Sequence, residues 1–435
     1  MPTSKTKQTP KITLDLKSFP GPETITRREL GNGIVVLVRE NHTSPSVVMD
    51  GDLRVGALWE TRAKAGLADF LGSALMRGNE RRAFGEIYEA IESVGASFGI
   101  GGGTHTTGFH GKCLVEDLGL LFEIAADSLR RPTFPAEPVE RLRNELLTRM
   151  ALRDDDTRSR ASDAFYELAY PNHPYAIDEE GYPDTVRAIT LDDLREFHRQ
   201  HFGPRGMIVT IVGAVRTEEA IALVEQYFGD WTNPAQTPEP HLPPVSKPNE
   251  VLTRRVAMPS KIQSDILLGW PGPARDHPRF LAARLGNSIL GAFGMGGRIG
   301  EYVREKNGMA YYAGVSLNGG LGPGAWYAYA GVNPKNLDKA IELMAREIQK
   351  FTTRKVTAQE FADNQANFIG RMPLSLETNE GVAGSISSLE LHNLGLDFLQ
   401  RYPALIQAIT RDEVLAVARE FMSAEHYALA VAGPE

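Results

Sequence analysis

Residues 190–215, "TLDDLREFHRQHFGPRGMIVTIVGAV", return 220 positions later as residues 410–435, "TRDEVLAVAREFMSAEHYALAVAGPE". Thr190 and Thr410 each stand before an acidic first turn and an apolar stripe at helical spacing. Both read as N-caps, whose hydroxyls accept a hydrogen bond from a free amide of the first turn. Gly213 and Gly433 close equivalent apolar runs that read as strands. A helix followed by a strand, written twice in one chain, points to a duplicated unit.

The duplication extends outward from this pair. "VEDLGLLFEIAADSLRRPTFPAEPVERLRNELLTRM" (115–150) and "NPKNLDKAIELMAREIQKFTTRKVTAQEFADNQANFIGRM" (333–372) each read as a helix, a short turn and a second helix ending in Arg-Met. Strands are expected within 33–41, 46–58 and 95–114 in the first half, and within 254–272, 309–320 and 324–333 in the second. The repeat is about 220 residues long. Its pattern predicts an α+β protein of two homologous domains, residues 20–232 and 251–435, each an antiparallel sheet with helices packed on one face. Between them, 233–250 contains "NPAQTPEPHLPPVSKP" (233–248), too rich in proline for a helix or an interior strand. An extended linker, long enough to let the halves hinge, is the expectation there.

Composition narrows the function. The chain has 435 residues and a formal net charge of -8, the wrong sign for a surface that must displace counterions from nucleic acid. The single cysteine, Cys113, excludes an internal disulfide and reads as an inert strand residue. No window approaches 18 uninterrupted apolar residues, so no membrane-spanning helix is expected. The start lacks the apolar run of a signal peptide. A cytoplasmic location follows, or a periplasmic one if a leader has been removed.

The first confident helix begins in "GLADFLGSALMRG" (66–78), and "VERLRNELLTRM" (139–150) carries a second charged stripe. Together with the duplication, these segments resemble the insulinase/pitrilysin family of metallopeptidases (M16), in its branch of short chains that pair as two subunits. The resemblance runs from about Pro20 to the end of the chain. That family places H-x-x-E-H on this helix, with two His one turn apart ligating zinc and the Glu between them acting as general base. Here the frame Gly66, Ala68, Phe70, Leu71 and Gly78 is kept, but the two His positions are Asp69 and Ser73 and the Glu position is Gly72. The family's third ligand, a Glu, falls on Arg149, 76 residues after Ser73. A guanidinium cannot ligate zinc, and one carboxylate is not three ligands. No metal is expected in this chain. Asp69 and Arg149 are candidates for an ion pair across the vacated site.

In the second half, "GAFGMGGRIGEYVREKNGMAYYAG" (291–314) resembles the family segment that ends in R-E-K-x-G-L-A-Y. The resemblance implies that Arg304 and Tyr311 are the pair which lies opposite zinc in the assembled peptidase. A fixed phenol O–H can stabilise the oxyanion formed when water attacks a peptide carbonyl, and a guanidinium fork can hold the peptide backbone. From the residues alone, Arg304 reads equally as a solvated charge, and Tyr311 as a core residue on one face with Ala313, Val315 and Leu317. Gly291, Gly294, Gly296 and Gly297 form a glycine-rich loop without the Lys-Ser/Thr of a phosphate loop, which excludes nucleotide binding and resembles the loop of noncatalytic family subunits. His105 with His110, His198 with His201, and His173 read as structural.

The resemblance therefore implies a zinc-free subunit that forms half of a peptide chamber and supplies Arg304 and Tyr311 to a homologous partner. That partner would carry the intact H-x-x-E-H motif and its zinc, and the substrate would be a peptide. The alternative is a catalytically inactive structural or peptide-binding subunit of the core type.

Overall fold

A computed structural model describes residues 15–434. The first sheet contains β1 (Thr26–Glu29), β2 (Val35–Glu40), β3 (Ser46–Leu53), β4 (Ser97–Gly102), β5 (Thr107–Leu114) and β6 (Ile208–Gly213), in the order β1-β2-β6-β3-β5-β4. The second contains β7 (Leu252–Ala257), β8 (Ser264–Pro271), β9 (Ala310–Leu317), β10 (Ala325–Val332) and β11 (Ala428–Gly433), in the order β7-β11-β8-β10-β9. Apart from β1 the two orders are the same. β6 and β11 are the strands of the repeated segment, and each slots between the first two strands of its unit. They lie parallel to β2 and β7 and antiparallel to β3 and β8. Each sheet is therefore mixed, not wholly antiparallel, because a strand that arrives after a helical crossover can pair in parallel.

The first half carries α1 (Leu67–Ala74), α2 (Phe84–Glu92), α3 (Leu118–Arg130), α4 (Ala136–Asp154), α5 (Thr157–Ala169), α6 (Pro183–Ala188), α7 (Leu191–His201) and α8 (Thr217–Phe228). The second carries α9 (Phe280–Asn287), α10 (Gly297–Ile299, one turn), α11 (Leu337–Thr353), α12 (Ala358–Ser375), α13 (Asn379–Leu391), α14 (Phe398–Ala408) and α15 (Arg411–Phe421). Thr190 and Thr410 cap α7 and α15 through capping boxes with Asp193 and Glu413. On one face of the first sheet, Phe70, Leu71, Phe122, Leu146 and Phe197 pack against Val36, Met49, Phe109 and Ile211. The second half repeats this layer with α9, α11 and α15.

The other face of each sheet is covered too, and the covering helix comes from the opposite half. Phe165, Ala161 and Ala164 of α5 pack on Leu267, Ala428 and Ala430 of the second sheet. Val382, Ala383 and Ile386 of α13 pack on Leu37, Val48 and Val212 of the first. This corrects the one-faced packing expected from the pattern, and it explains why β6, β8 and β11 are buried along their whole length. Burying a large apolar side chain contributes about 1.5–3 kcal/mol, so the exchange ties the halves together by several such increments. Polar pins sit at the first residue of each exchanged helix. The Thr157 hydroxyl donates to Asp265 Oδ2 at 2.6 Å, and Asn379 Nδ2 donates to the Ser46 carbonyl at 3.3 Å.

The segment between the halves has no helix or strand from Trp231 to Val251. It is extended as its prolines dictate, but it is fastened down and is no free hinge. Asn233 Nδ2 donates to the carbonyls of Arg199 (2.9 Å) and Phe202 (2.6 Å), the Gln236 amide exchanges hydrogen bonds with the Arg205 backbone, and Lys247 Nζ donates to the carbonyls of Arg419 and Glu420.

Candidate functional site

Helix α1 starts at Gly66, whose φ of 90° suits glycine, in backbone contact with the turn at Glu180 and Gly181. A Cβ on Gly66 would lie 2.4 Å from the Glu180 carbonyl oxygen. No side chain caps the helix from its own N-cap position. Glu60 does so from a distance, its carboxyl accepting the amides of Gly66 at 2.9 Å and of Ala68. Burial drives the Glu60 carboxyl up to about 8, against the lowering effect of those two amides.

On the exposed side of α1, Arg149 Nη2 stands 3.6 Å from Asp69 Oδ2, the ion pair anticipated across the vacated site. Arg149 Nε also lies 3.9 Å from Glu180, while Arg153 holds Asp178 at 2.7 Å and Glu180 at 3.0 Å. Two arginines one helical turn apart on α4 thus clamp an acidic turn onto the start of α1. Burial raises the Asp69 carboxyl to about 6; Arg149 lowers it, and Glu180, Glu179 and Asp178 raise it further. Sequence reasoning missed Glu60 and the acidic turn. The run "DEEG" (178–181) was the available signal, unread because nothing in its spacing relates it to a helix 110 residues earlier.

Gly72 closes the site sterically. A Cβ there would meet Gly102 N at 2.3 Å, and a Cβ on Gly102 would meet the Ala68 carbonyl oxygen at 2.3 Å. Helix α1 and edge strand β4 therefore touch backbone to backbone, in the space a Glu side chain at position 72 needs. With Gly72 walled in, Ser73 the only hydroxyl and Arg149 positively charged, these residues do not fit zinc. Among the described residues, no group of three or more His, Cys, Asp or Glu could hold a metal ion.

In the second half, β9 is an edge strand, and its pairing with β10 slips between Gly331 and Val332, opposite Tyr311. The slip turns Tyr311 out of the sheet. Its side chain is 86% exposed, while Ala313 and Val315 are buried, so core packing does not account for it. Tyr312 is the residue that is tied in: its hydroxyl donates to Asp265, and Arg158 lies over its ring at 5.3 Å. Arg304 lies in the last turn of a π-helical segment (Gly300–Glu305) that packs on β9, with its guanidinium 2.8 Å from Glu305.

The glycine loop lies along the same strand. Gly291 and Gly296 approach the backbone of Val315 and Ala313 too closely for a Cβ, and Gly296 and Gly297 have positive φ. Gly294 faces open space, and Phe293 and Met295 are exposed beside it. The structure thus groups Arg304, Tyr311 and the glycine loop on one edge, and Asp69, Gly72, Ser73 and Arg149 on α1 and α4. No described hydrogen bond or ion pair links the two groups.

The histidines singled out in the sequence have partners within the chain: His198 bonds the Leu129 carbonyl, His201 the Thr237 hydroxyl, His173 Nδ1 accepts the Tyr175 amide, His105 meets the Tyr175 hydroxyl, and His110 lies 3.7 Å from Asp50. A cavity of about 500 Å³ opens between the halves. Tyr166, Tyr175, Asp163 and Asp178 line it from one side, and Asn318 and Gly322 from the other.

A twice-written α+β unit, a helix in the zinc-peptidase frame without its ligands, and an Arg/Tyr edge define an M16-type chain. Residues 35–179 match the family described as insulinase (peptidase family M16), and residues 188–368 match the peptidase M16 inactive domain. The chain belongs to the M16 family. It is similar to an uncharacterized zinc protease of Streptomyces coelicolor, at 27% identity over 96% of this chain and 92% of that one. It is also similar to the uncharacterized zinc protease YmxG of Bacillus subtilis, at 23% identity over 94% and 98%. Among solved structures, a peptidase M16 inactive domain from Pseudomonas fluorescens superposes with a TM-score of 0.86 at 23% identity, covering 94% of this chain and 98% of that one. A protease from Helicobacter pylori gives 0.86 at 21%, covering 94% and 99%. At these identities the structural likeness establishes the fold. No helix among the described residues is long and apolar enough to cross a membrane.

Proposed function

We propose that this chain is the zinc-free half of a two-subunit M16 peptidase, presenting Arg304 and Tyr311 to the zinc helix of a homologous partner with an intact H-x-x-E-H motif. The observation that carries the proposal is Tyr311, a large aromatic side chain 86% exposed at a strand irregularity, where no packing within the chain explains it. Its phenol is free to donate to an oxyanion held on a facing subunit. Arg304, turned onto Glu305 in the free chain, can exchange that carboxylate for peptide carbonyls. The cavity between the halves, with its tyrosines and carboxylates, supplies a wall for the peptide chamber.

The second reading, a peptide-binding or structural subunit without a catalytic part, draws on the Gly72–Gly102 contact that fills the old zinc site. One experiment separates the two. The chain is combined with a homologous subunit carrying H-x-x-E-H, and peptide hydrolysis is measured for wild type, Tyr311→Phe and Arg304→Ala at equal zinc content. Under the first reading Tyr311→Phe lowers kcat by roughly 10²–10³ with little change in KM, and Arg304→Ala also raises KM. Full activity in both variant complexes leaves the second reading standing.

A further inference from the structure

The second half holds three arginines that this function does not use. Arg275, on the loop before α9, Arg284 on α9 and Arg371 on α12 converge on a cavity of about 300 Å³ bounded by α9, α12, α13 and α14. A neighbouring hollow of about 620 Å³ shares Arg284 and Arg371 with it and adds the amides of Asn287 and Asn367. Neither lining contains an Asp or Glu.

That is unusual for this chain, which carries a net charge of -8 and pairs its other nearby arginines. Arg279 reaches Glu420 at 2.6 Å, and Arg298 reaches Glu360 at 2.7 Å. None of Arg275, Arg284 and Arg371 has a carboxylate partner among the described ion pairs. Arg275 and Arg284 instead stack on aromatic rings, Arg275 over Phe280 at 4.7 Å and Arg284 over Phe368 at 5.6 Å, which leaves their N–H edges unengaged.

We infer that this cavity is a binding site for a polyvalent oxyanion of the phosphate class, held by the guanidinium forks of Arg275, Arg284 and Arg371. Three like charges gathered in one concave site repel each other unless an anion is present. The Arg275 guanidinium is lowered to about 10, first by burial and then by Arg284, which is the cost that a bound anion removes. A single carboxylate would neutralise one charge of three, whereas phosphate and pyrophosphate carry two or more. Planar guanidinium forks match their tetrahedral oxygens bidentately. Tyr402 and Ser388 line the same cavity, and their hydroxyls supply further donors, while the Ser385 hydroxyl is spent on the Gly381 carbonyl at 2.7 Å.

Phe398, Leu389 and Met372 form its apolar floor. A cavity of roughly 300 Å³ stands at the small end of ligand sites, suited to a compact anionic head, with the adjoining hollow open to a polar extension. The site lies where α13 leaves its own half to cover the first sheet, so its occupant would contact helices on both sides of that crossing.

The test is binding of inorganic phosphate, pyrophosphate and a tri-glutamate peptide to the full chain at low ionic strength, by calorimetry and thermal melting. Wild type, Arg284→Gln/Arg371→Gln and a control, Arg279→Gln, are compared. Arg284 and Arg371 are exposed helix residues, so the double variant is expected to fold and to melt within a few degrees of wild type without ligand. Pyrophosphate should bind wild type and the control alike, more tightly than phosphate, and at least tenfold more weakly to the double variant. Equal binding by the double variant overturns the site. A preference for tri-glutamate over pyrophosphate overturns the phosphate class. If the double variant fails to fold, Arg371→Lys, which keeps the charge and loses the fork, must still weaken pyrophosphate binding for the inference to stand.

Discussion

Gly72→Ala tests whether the old zinc site is closed by backbone contact. A methyl group at position 72 would lie 2.3 Å from Gly102 N and 2.9 Å from both Gly101 C and Gly102 Cα, where ordinary contact begins at 3.4 Å. Helix α1 and strand β4 would have to part by about 1 Å, and overpacking of this kind costs about 1–3 kcal/mol. Against it stands the gain of about 1 kcal/mol for replacing glycine by alanine in a helix. Gly85→Ala in α2 isolates the clash, because nothing lies within 4 Å of a Cβ there. Both variants share the propensity gain. The difference between them, about 1–3 kcal/mol, is the steric cost, and at roughly 2–4 °C per kcal/mol it corresponds to a melting-point difference of roughly 2–12 °C. Thermal melting by circular dichroism, with limited proteolysis across β4, makes the measurement. If Gly72→Ala melts at or above Gly85→Ala, the contact is not tight and the steric account of the lost site fails. The same contact predicts that the quadruple change Asp69→His, Gly72→Glu, Ser73→His, Arg149→Glu will not hold stoichiometric zinc while β4 stays in place.

Other consequences can be measured on the chain alone. Asp69 is raised to about 6 in the folded chain, above the ordinary aspartate value of 3.8, so the native state keeps a proton that the unfolded chain has released between those values. Its contribution is fully present below about pH 4 and is lost as pH rises to 6; Asp69→Asn should flatten this slope by about 1–3 kcal/mol, and identical pH–stability curves would count against the assignment. Tyr312→Phe leaves the buried Asp265 carboxylate one donor short and should cost about 1–3 kcal/mol, whereas the exposed Tyr311→Phe should be neutral in denaturant titrations; equal stabilities would contradict the hydrogen bond. Cys113 is buried in β5, its thiol pushed up to about 12 by burial, and should react with a thiol reagent only on unfolding; rapid native labelling would show the strand to be open.

The fold was legible wherever the signal was local and periodic. The Thr190 and Thr410 caps, the strands and the helix pairs all follow from hydroxyl position and apolar spacing within a few turns. Three things were not. The parallel pairing of β6 and β11 depends on where a returning strand inserts, and no residue in it records that. The exchange of α5 and α13 leaves a trace in the run 207–212, apolar except for Thr210, since a strand buried on both faces loses its alternation. The run does not say which helix lies on the second face. The core reading of Tyr311, one of two the residues allowed, fails because a strand irregularity opposite Gly331 and Val332 breaks the two-residue period that placed it with Ala313 and Val315. The lost zinc ligands were legible as substitutions, while the acidic turn that Arg149 and Arg153 hold became visible only in three dimensions.

These changes at the old zinc site reinforce one another. Arg149 is positively charged where a ligand would be negative, and it stands beside Asp69, Glu180 and the further acids of the 178–180 turn, so reverting it alone to Glu would gather four or more carboxylates against α1 with only Arg153 to offset them. Like charges in such a setting raise each other's pKa, and the new carboxyl would tend to protonate instead of binding metal. Reverting Gly72 alone drives a side chain into β4. Asp69→His alone supplies one imidazole beside a guanidinium, which lowers the pKa of the imidazole and does not make a metal site. Each single reversal is therefore opposed by a different physical term: charge, volume or ligand count. Arg304, Tyr311 and the glycine loop stand apart from this network on an exposed edge, where no such opposition acts. Under the proposed function, α1 serves as a structural element and the surface left for chemistry is β9. Arg149→Glu should accordingly destabilise the free chain more at pH 7 than at pH 4, where the Asp69 carboxyl, raised to about 6, carries its proton; a variant equally stable at both values would show that the acidic cluster does not hold Arg149 in place.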